Sequence, residues 1–334
     1  MRALKKITAV TMLFFLSFVF SALGAETLPT IRVGVMAGET DSFVPAVGEE
    51  LGIYKKYGLN VISQAFSAGI NTIDALTLGQ LDFGMAADFA ILNRIGAMEK
   101  SDLRIYTKFA VSKAGTPFSW AFYVNDDTVT SPSDLAGKSI ALRKGTVEEY
   151  WTARLLQTVG VDPVSIKQLP IGSPQEGVAA LKSKQATGMW GGGQASVALA
   201  EIPSVRGIAD LATIDSQTVT VLLSTQKFLT ENKDIVVNYV KALEEIVRFI
   251  NAEPEKTAEI VQKQINIPAE QVLMNLQRNE ISVNFTQTTL DTLDAINQWG
   301  RGAGFIKNVF DVRDYVNVEA LKEAFPESVS YDHE

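Results

Sequence analysis

Strand-like and helix-like segments alternate through the first 190 residues, and that alternation restricts the chain to α/β architectures built from strand–helix–strand units. Residues 31–35, with β-branched Ile31, Val33 and Val35, read as a buried strand. Asp41 or Ser42 caps a helix expected to run to about Tyr57, with Gly58 as its stop. Residues 59–66 form a second strand, Ser67-Ala68-Gly69 opens a helix to about Leu78, and Gly79 closes it. Strands at 82–85 and 103–111 flank a helix near 90–98. A second series starts near residue 120, with strands at 120–124, 138–142, 166–169 and 187–190. Its helices follow Gly145-Thr146 and the capping box Ser173-Pro174-Gln175-Glu176. Residues 219–224 read as a strand leading out of that series. Beyond them the pattern is almost wholly helical, with 232–251 clearly amphipathic. No linker rich in Pro, Gly or Ser separates the two series. The expectation is therefore two lobes joined by strands that pass between them, each a mainly parallel sheet flanked by helices. Residues 27–118 and 225–334 are assigned to lobe one, and 119–224 to lobe two.

The first 25 residues stand apart. Arg2, Lys5 and Lys6 precede an apolar stretch over 7–20, and the small residues of 21–25 offer cleavage after Gly24 or Ala25. This is the layout of a secretory signal peptide, with an apolar run shorter than the roughly 20 residues a spanning helix needs. Its removal takes away three positive charges, so the net charge goes from −8 to −11. Such an acidic chain is not expected to bind nucleic acid. No later segment has about 18 unbroken apolar residues, so the mature chain is expected to be exported and soluble. The chain has no cysteine and one histidine, His333, at the very end. Disulfides, thiolate nucleophiles, histidine-cluster metal sites and a Ser-His-Asp triad drop out together. No metal, no cofactor and no catalytic residue is expected.

The loops where strands give way to helices, at 38–43, 67–72 and 144–148, carry the candidate binding chemistry. In an open α/β sheet, ligands sit beyond the carboxyl ends of the strands, and free backbone N–H groups at a helix start favour an anion. Gly38, Gly69 and Gly145 permit close backbone approach, while Ser67, Thr72 and Thr146 add hydroxyls. Glu39, Asp41 and Asp88 bring carboxylates to the same region, and Trp190, beside Gly191-Gly192-Gly193, is a candidate wall. These ten residues are the expected ligand site. Arg143 and Lys144 could add a charge-assisted contact. Neither a GxGxxG fingerprint nor a Walker A lysine is present, which argues against nucleotide binding.

The motif order resembles a known family. Leu51-Gly52-Ile53-Tyr54-Lys55-Lys56-Tyr57-Gly58-Leu59-Asn60-Val61 is similar to the entry segment of periplasmic binding proteins for nitrate, sulfonates, taurine and thiamine-pyrimidine precursors. Ala75-Leu76-Thr77-Leu78-Gly79-Gln80-Leu81-Asp82-Phe83-Gly84 resembles their "A-L-x-x-G-Q-L-D-F-G" stretch. Asp134-Leu135-Ala136-Gly137-Lys138, then Lys144-Gly145-Thr146, resembles the matching second-lobe motif. The segment from Ala179-Ala180-Leu181 to Trp190 resembles a second such stretch, with Lys184, Thr187 and Gly188 departing from its pattern. The resemblance implies a two-lobed type II periplasmic binding fold with the ligand cleft between the lobes. It implies a periplasmic, monomeric receptor that closes on a small molecule and delivers it to the membrane permease subunits of an ABC transporter. The family's pyrimidine-synthesising enzyme uses histidine and a cysteine-rich motif, and that activity does not carry over to this chain. The mixture of acidic residues and helix starts favours an organic anion or zwitterion, sulfonate- or taurine-like, over plain nitrate. A pyrimidine or aromatic acid, a ligand-presenting sensor and a secreted carboxylate-based enzyme are the alternatives.

Overall fold

A computed structural model describes residues 28–112 and 114–331. The expected signal peptide and His333 lie outside the described residues. The chain begins with β1 (Thr30–Met36), whose Ile31, Val33 and Val35 alternate into the core. Next come α1 (Phe43–Glu50) and α2 (Ile53–Lys56) in place of the single helix expected over 41–57. The break falls at Gly52, whose φ of +65° ends one right-handed helix and starts another. The first series continues through β2 (Asn60–Phe66), α3 (Gly69–Thr77), β3 (Gly84–Ala87), α4 (Asp88–Gly96) and β4 (Leu103–Ser112).

The chain then crosses to a second sheet. It forms β5 (Ala121–Val124), β6 (Ser139–Leu142), α5 (Val147–Thr158), β7 (Lys167–Pro170), α6 (Pro174–Lys182), β8 (Gly188–Gly191), α7 (Gln194–Ala200) and β9 (Arg206–Asp210). It returns as β10 (Thr218–Thr225), followed by α8 (Gln226–Glu231), α9 (Lys233–Ala252), α10 (Pro254–Ile265) and α11 (Ala269–Arg278). The last elements are β11 (Asn279–Thr286), α12 (Gln287–Gly302), α13 (Glu319–Ala324) and β12 (Val329–Ser330). The sequence reading had no counterpart for α7, β9 or β11.

One sheet has the order β12-β11-β4-β10-β3, with β1 bridged to β3 through Val33 and Phe83, and β2 beside β1. The other has the order β7-β6-β8-β5-β9. Helices flank both, as an α/β fold requires. Two details correct the sequence reading. Strand β10 pairs with β3 and β4, so residues 218–224 belong to the first lobe's sheet rather than to lobe two. Both sheets are mixed: β10 runs antiparallel to β3 and β4, β11 to β4, and β5 to β8 and β9. A strand that enters a sheet straight from the other lobe, with no crossover helix of its own, is free to run either way.

Helix α9 shows why the C-terminal half belongs to the first lobe. Val236, Tyr239, Val240, Leu243, Ile246, Val247 and Ile250 form one buried stripe at helical spacing. Tyr239 stacks on Phe83 with ring centroids 4.3 Å apart. Each such fully buried side chain contributes roughly 1.5–3 kcal/mol. Among the described residues no helix is long and apolar enough to cross a membrane.

Candidate functional site

The carboxyl ends of β1, β3 and β6 and the entrances of four helices face one another across a cavity of about 280 Å³ between the two sheets. From the first lobe come the loop after β1 (Gly38, Glu39, Asp41), the start of α3 (Ser67, Gly69) and the hydroxyls of Ser112, Thr218 and Thr220. From the second come Thr146 and Trp151 of the α5 region, Ser173 to Gln175 at α6, and Gly192 to Ala195 at α7. Helix α11 closes one side with Gln271, Asn275 and Arg278. Ser173 and Thr146 cap α6 and α5 with their own side chains, whereas α3 and α7 start without a side-chain cap. At α7 the Ala195, Ser196 and Val197 N–H groups already donate to the Gly192 and Gly193 carbonyls, so α3 is the helix start whose N–H groups are ready donors to an anion, with the helix dipole adding to the attraction. Gly69 is required here, because a Cβ on it would lie 2.9 Å from the Ala86 Cα and lift α3 off β3.

Six of the ten expected residues line this cavity: Gly38, Glu39, Asp41, Ser67, Gly69 and Thr146. The other four do not, and each has a structural task. The Thr72 hydroxyl bonds to the carbonyls of Gly69 and Met85 and fixes α3 on β3. Asp88 accepts from the Phe89 N–H at 2.7 Å and the Val219 N–H at 2.8 Å, tying the start of α4 to the returning strand. Gly145 donates its N–H to Glu149 at 2.9 Å and faces Ile70 of the opposite lobe. Trp190 is buried between Phe122 and Trp151, and its indole N–H reaches the Thr152 hydroxyl at 3.2 Å. Trp190 sits on β8, an inner strand covered on both faces, so it cannot present a ring to the cleft. The aromatic walls are Trp120 and Trp151 instead, with ring centroids 5.1 Å apart.

The cations also differ from expectation. Arg143 lines the cavity, but its Nε and Nη2 are taken by Glu148 Oε1 at 3.0 and 2.5 Å. Its Nη1 reaches the Ser67 carbonyl across the cleft at 3.3 Å, so it links the lobes. Lys144 does not line the cavity. The cation that the sequence reading missed is Arg278, at the end of α11. It is 2% exposed, donates to Glu39 Oε2 at 2.5 Å and lies 5.3 Å from the centre of the Trp120 ring. Its Nε has no partner.

Burial pushes Asp41 up to about 8, with the neighbouring Glu39 charge adding to the rise and the Met36 N–H opposing it. Burial likewise raises Asp88 to about 7 against its two backbone donors. Both folded values lie above those of the unfolded chain, so the folded protein holds protons that the unfolded chain releases above about pH 4. The contribution of these two groups is therefore fully present below about pH 4 and is lost as the pH rises towards 7–8, by up to about 1.4 kcal/mol per group per pH unit. Exposed carboxylates held low by their partners, such as Asp134, weaken the fold only at more acid pH. The ligand-free protein is expected to melt at a higher temperature at pH 5 than at pH 8, and Asp41→Asn, neutral throughout, to flatten that difference. Melting curves at the two pH values check this, and identical slopes for wild type and Asp41→Asn would refute it.

The sequence model described as NMT1/THI5 like matches residues 40–257. A candidate binding protein of Brucella abortus (strain 2308) is 24% identical over 327 residues, covering 93% of this chain and 97% of that one. The alkanesulfonate-binding protein of Xanthomonas axonopodis pv. citri, solved bound to MOPS, aligns with a TM-score of 0.71 at 18% identity, over 86% of this chain and 98% of that one. The desulfurization enzyme DSZB aligns with a TM-score of 0.65 at 13% identity, over 89% and 99%. The same fold thus carries both binding and chemistry, and the site has to decide between them.

Proposed function

The chain belongs to the NMT1/THI5-like family, and from that premise we propose that it is an extracytoplasmic solute-binding protein that captures a small organic anion by closure of its two lobes. The ligand class is a sulfonate or related organic acid, and the recipient is the permease of an ABC importer. The observation that carries this reading is the cavity itself: helix entrances from both lobes, that of α3 without a side-chain cap, converge with Arg278 on one cleft walled by two tryptophans. Anion at one end and apolar contact at the other is the complement of that lining. Gly38, Glu39, Asp41, Ser67, Gly69 and Thr146 are retained as site residues, joined by Trp120, Trp151, Asn275 and Arg278.

Binding rather than catalysis follows from the side chains available. The chain has no cysteine, Glu39 is held by Arg278, and Asp41, whose Oδ2 accepts from the Met36 N–H at 2.5 Å, has no histidine or second free carboxylate beside it among the described residues to complete an acid–base pair. Periplasmic placement rests on the amino-terminal sequence pattern and on the family.

The test is a thermal-shift and calorimetric series with ethanesulfonate, taurine, nitrate and a hydroxymethylpyrimidine, with mass spectrometry of the recovered ligand. A ligand that binds only the folded state adds about 2.7 kcal/mol of stability at one hundred times its dissociation constant. Stabilisation by the sulfonates, with the compound recovered intact, is the expected result. Tight nitrate binding with no organic ligand, or chemical conversion of the bound compound, would overturn it.

A further inference from the structure

Besides Asp41 Oδ1 on the loop after β1, four nearly fully buried side chains around the cavity each keep a polar atom without a partner: Ser112 Oγ, Thr218 Oγ1, Trp151 Nε1 and Arg278 Nε. Buried polar groups in native proteins are almost always satisfied, so a cluster of exceptions marks a place where something else supplies the partner. The cluster has an order. Thr218 of β10 pairs in register with Ser112 of β4, and Ser112 pairs with Asn279 of β11, the residue after Arg278. The two hydroxyl residues are therefore neighbours on adjacent strands, Arg278 immediately precedes the third strand, and all three line the same cavity as Trp151 of the other lobe. The indole N–H and the guanidinium Nε–H can only donate, and the hydroxyls can donate or accept. Such a cluster takes a hydrogen-bond acceptor.

The cluster is separate from the start of α3. That helix rests on β3 at Ala86, and β3 is divided from β4 by β10. Neighbouring strands lie about 4.8 Å apart, so Thr218 on β10 is about one spacing from β3, while Ser112 on β4, with Arg278 beyond it, is about 10 Å from that strand. One sulfonate or carboxylate group is smaller than that span and cannot serve both ends of it.

On the reading of this cavity as an organic-anion site, we infer that the ligand is difunctional: it carries an acidic group at the α3 entrance and a second acceptor group, a carboxylate or carbonyl, on the cluster of Ser112, Thr218, Trp151 and Arg278. A sulfocarboxylic acid or a short dicarboxylic acid has this form. A simple alkanesulfonate would leave that cluster unpaired, and unpaired buried donors cost affinity.

Calorimetry with propanesulfonate, 3-sulfopropanoate and glutarate tests the inference. The difunctional acids are expected to bind at least about tenfold more tightly than propanesulfonate. In the Ser112→Ala/Thr218→Val double variant that ratio is expected to fall to about twofold or less, because the isosteric changes remove donors and little volume. Trp151→Phe, which removes the indole N–H, should move the ratio in the same direction. Equal affinity of wild type for the mono- and difunctional acids overturns the inference while leaving the organic-anion reading in place, and needs no variant to fold. An undiminished ratio in a folded double variant also overturns it. Failure of all three acids to bind overturns the organic-anion reading itself.

Discussion

Arg278→Ala is expected to weaken binding of the tightest sulfonate or sulfocarboxylate by about 100-fold while leaving the protein folded. The residue is almost completely buried at the cavity and supplies its one cation not consumed within its own lobe by a buried, bidentate partner. A hydrogen bond to a charged group is worth roughly 1.5–3 kcal/mol, and truncating one member of a buried charge pair costs about 2–5 kcal/mol. The upper half of those ranges corresponds to about two decades of affinity. Truncation also strips Glu39 of its partner at 2.5 Å, leaving a carboxylate facing an anionic ligand. Two controls separate these effects. Arg278→Lys keeps the charge but loses the planar contact with Trp120, so it should recover only part of the affinity. Glu39→Gln in the Arg278→Ala background removes the stranded carboxylate and should recover part as well. Calorimetry on variants with native circular dichroism makes the measurement, and an Arg278→Ala affinity within threefold of wild type would sink the assignment.

Arg278 also shows where sequence reading stops. The strand–helix order up to β8 was legible because each unit is local: β-branched runs, a glycine or hydroxyl residue at the turn, then a helix. The loops at 38–43 and 67–72 were singled out because such sheets place ligands at strand ends, and part of each lines the cavity. The α11 side of the cavity comes from a segment more than 200 residues further on, reached only because β11 pairs with β4. That strand had a signal: Ile281, Val283 and Phe285 are buried at alternate positions, the period of two that marks a half-buried strand. Taking the region as helical hid it, and with it the cation that precedes it. Trp190 failed for a different reason. Its place beside a glycine run suggested a cleft, but whether β8 is an edge or an inner strand depends on β5 and β6 on either side of it. The wall went to Trp120 and Trp151, one just before a strand and one inside a helix, where periodicity alone assigns both to packing.

Gly193→Val is expected to lower affinity by about 100-fold or more through the closing of the lobes rather than through ligand contact. Gly193 opens α7 in the second lobe with φ +53° and ψ −129°, a conformation that residues with a side chain avoid. Forcing a valine into it costs about 1–3 kcal/mol. The space adds to the difficulty. A Cβ at this position would lie 3.0 Å from Arg278 Nη1 and 3.2 Å from Asn275 Oδ1, both on the first lobe's α11. The backbone relaxes most easily where the lobes are apart, so the substitution penalises the arrangement in which they meet. Apparent affinity scales with the fraction of molecules able to adopt the binding-competent state, so about 3 kcal/mol against closure is worth about two decades. The ligand-free protein should lose only a few degrees of melting temperature, since no core packing changes. Small-angle scattering should show wild type contracting with saturating ligand while Gly193→Val keeps its ligand-free radius. Gly193→Ala, with the Cβ alone, should fall between the two. If Gly193→Val contracts and binds as wild type does, the approach of Gly193 to α11 has no part in closure, and the lobes must meet through other contacts, of which the Arg143 link to the Ser67 carbonyl is the first to test.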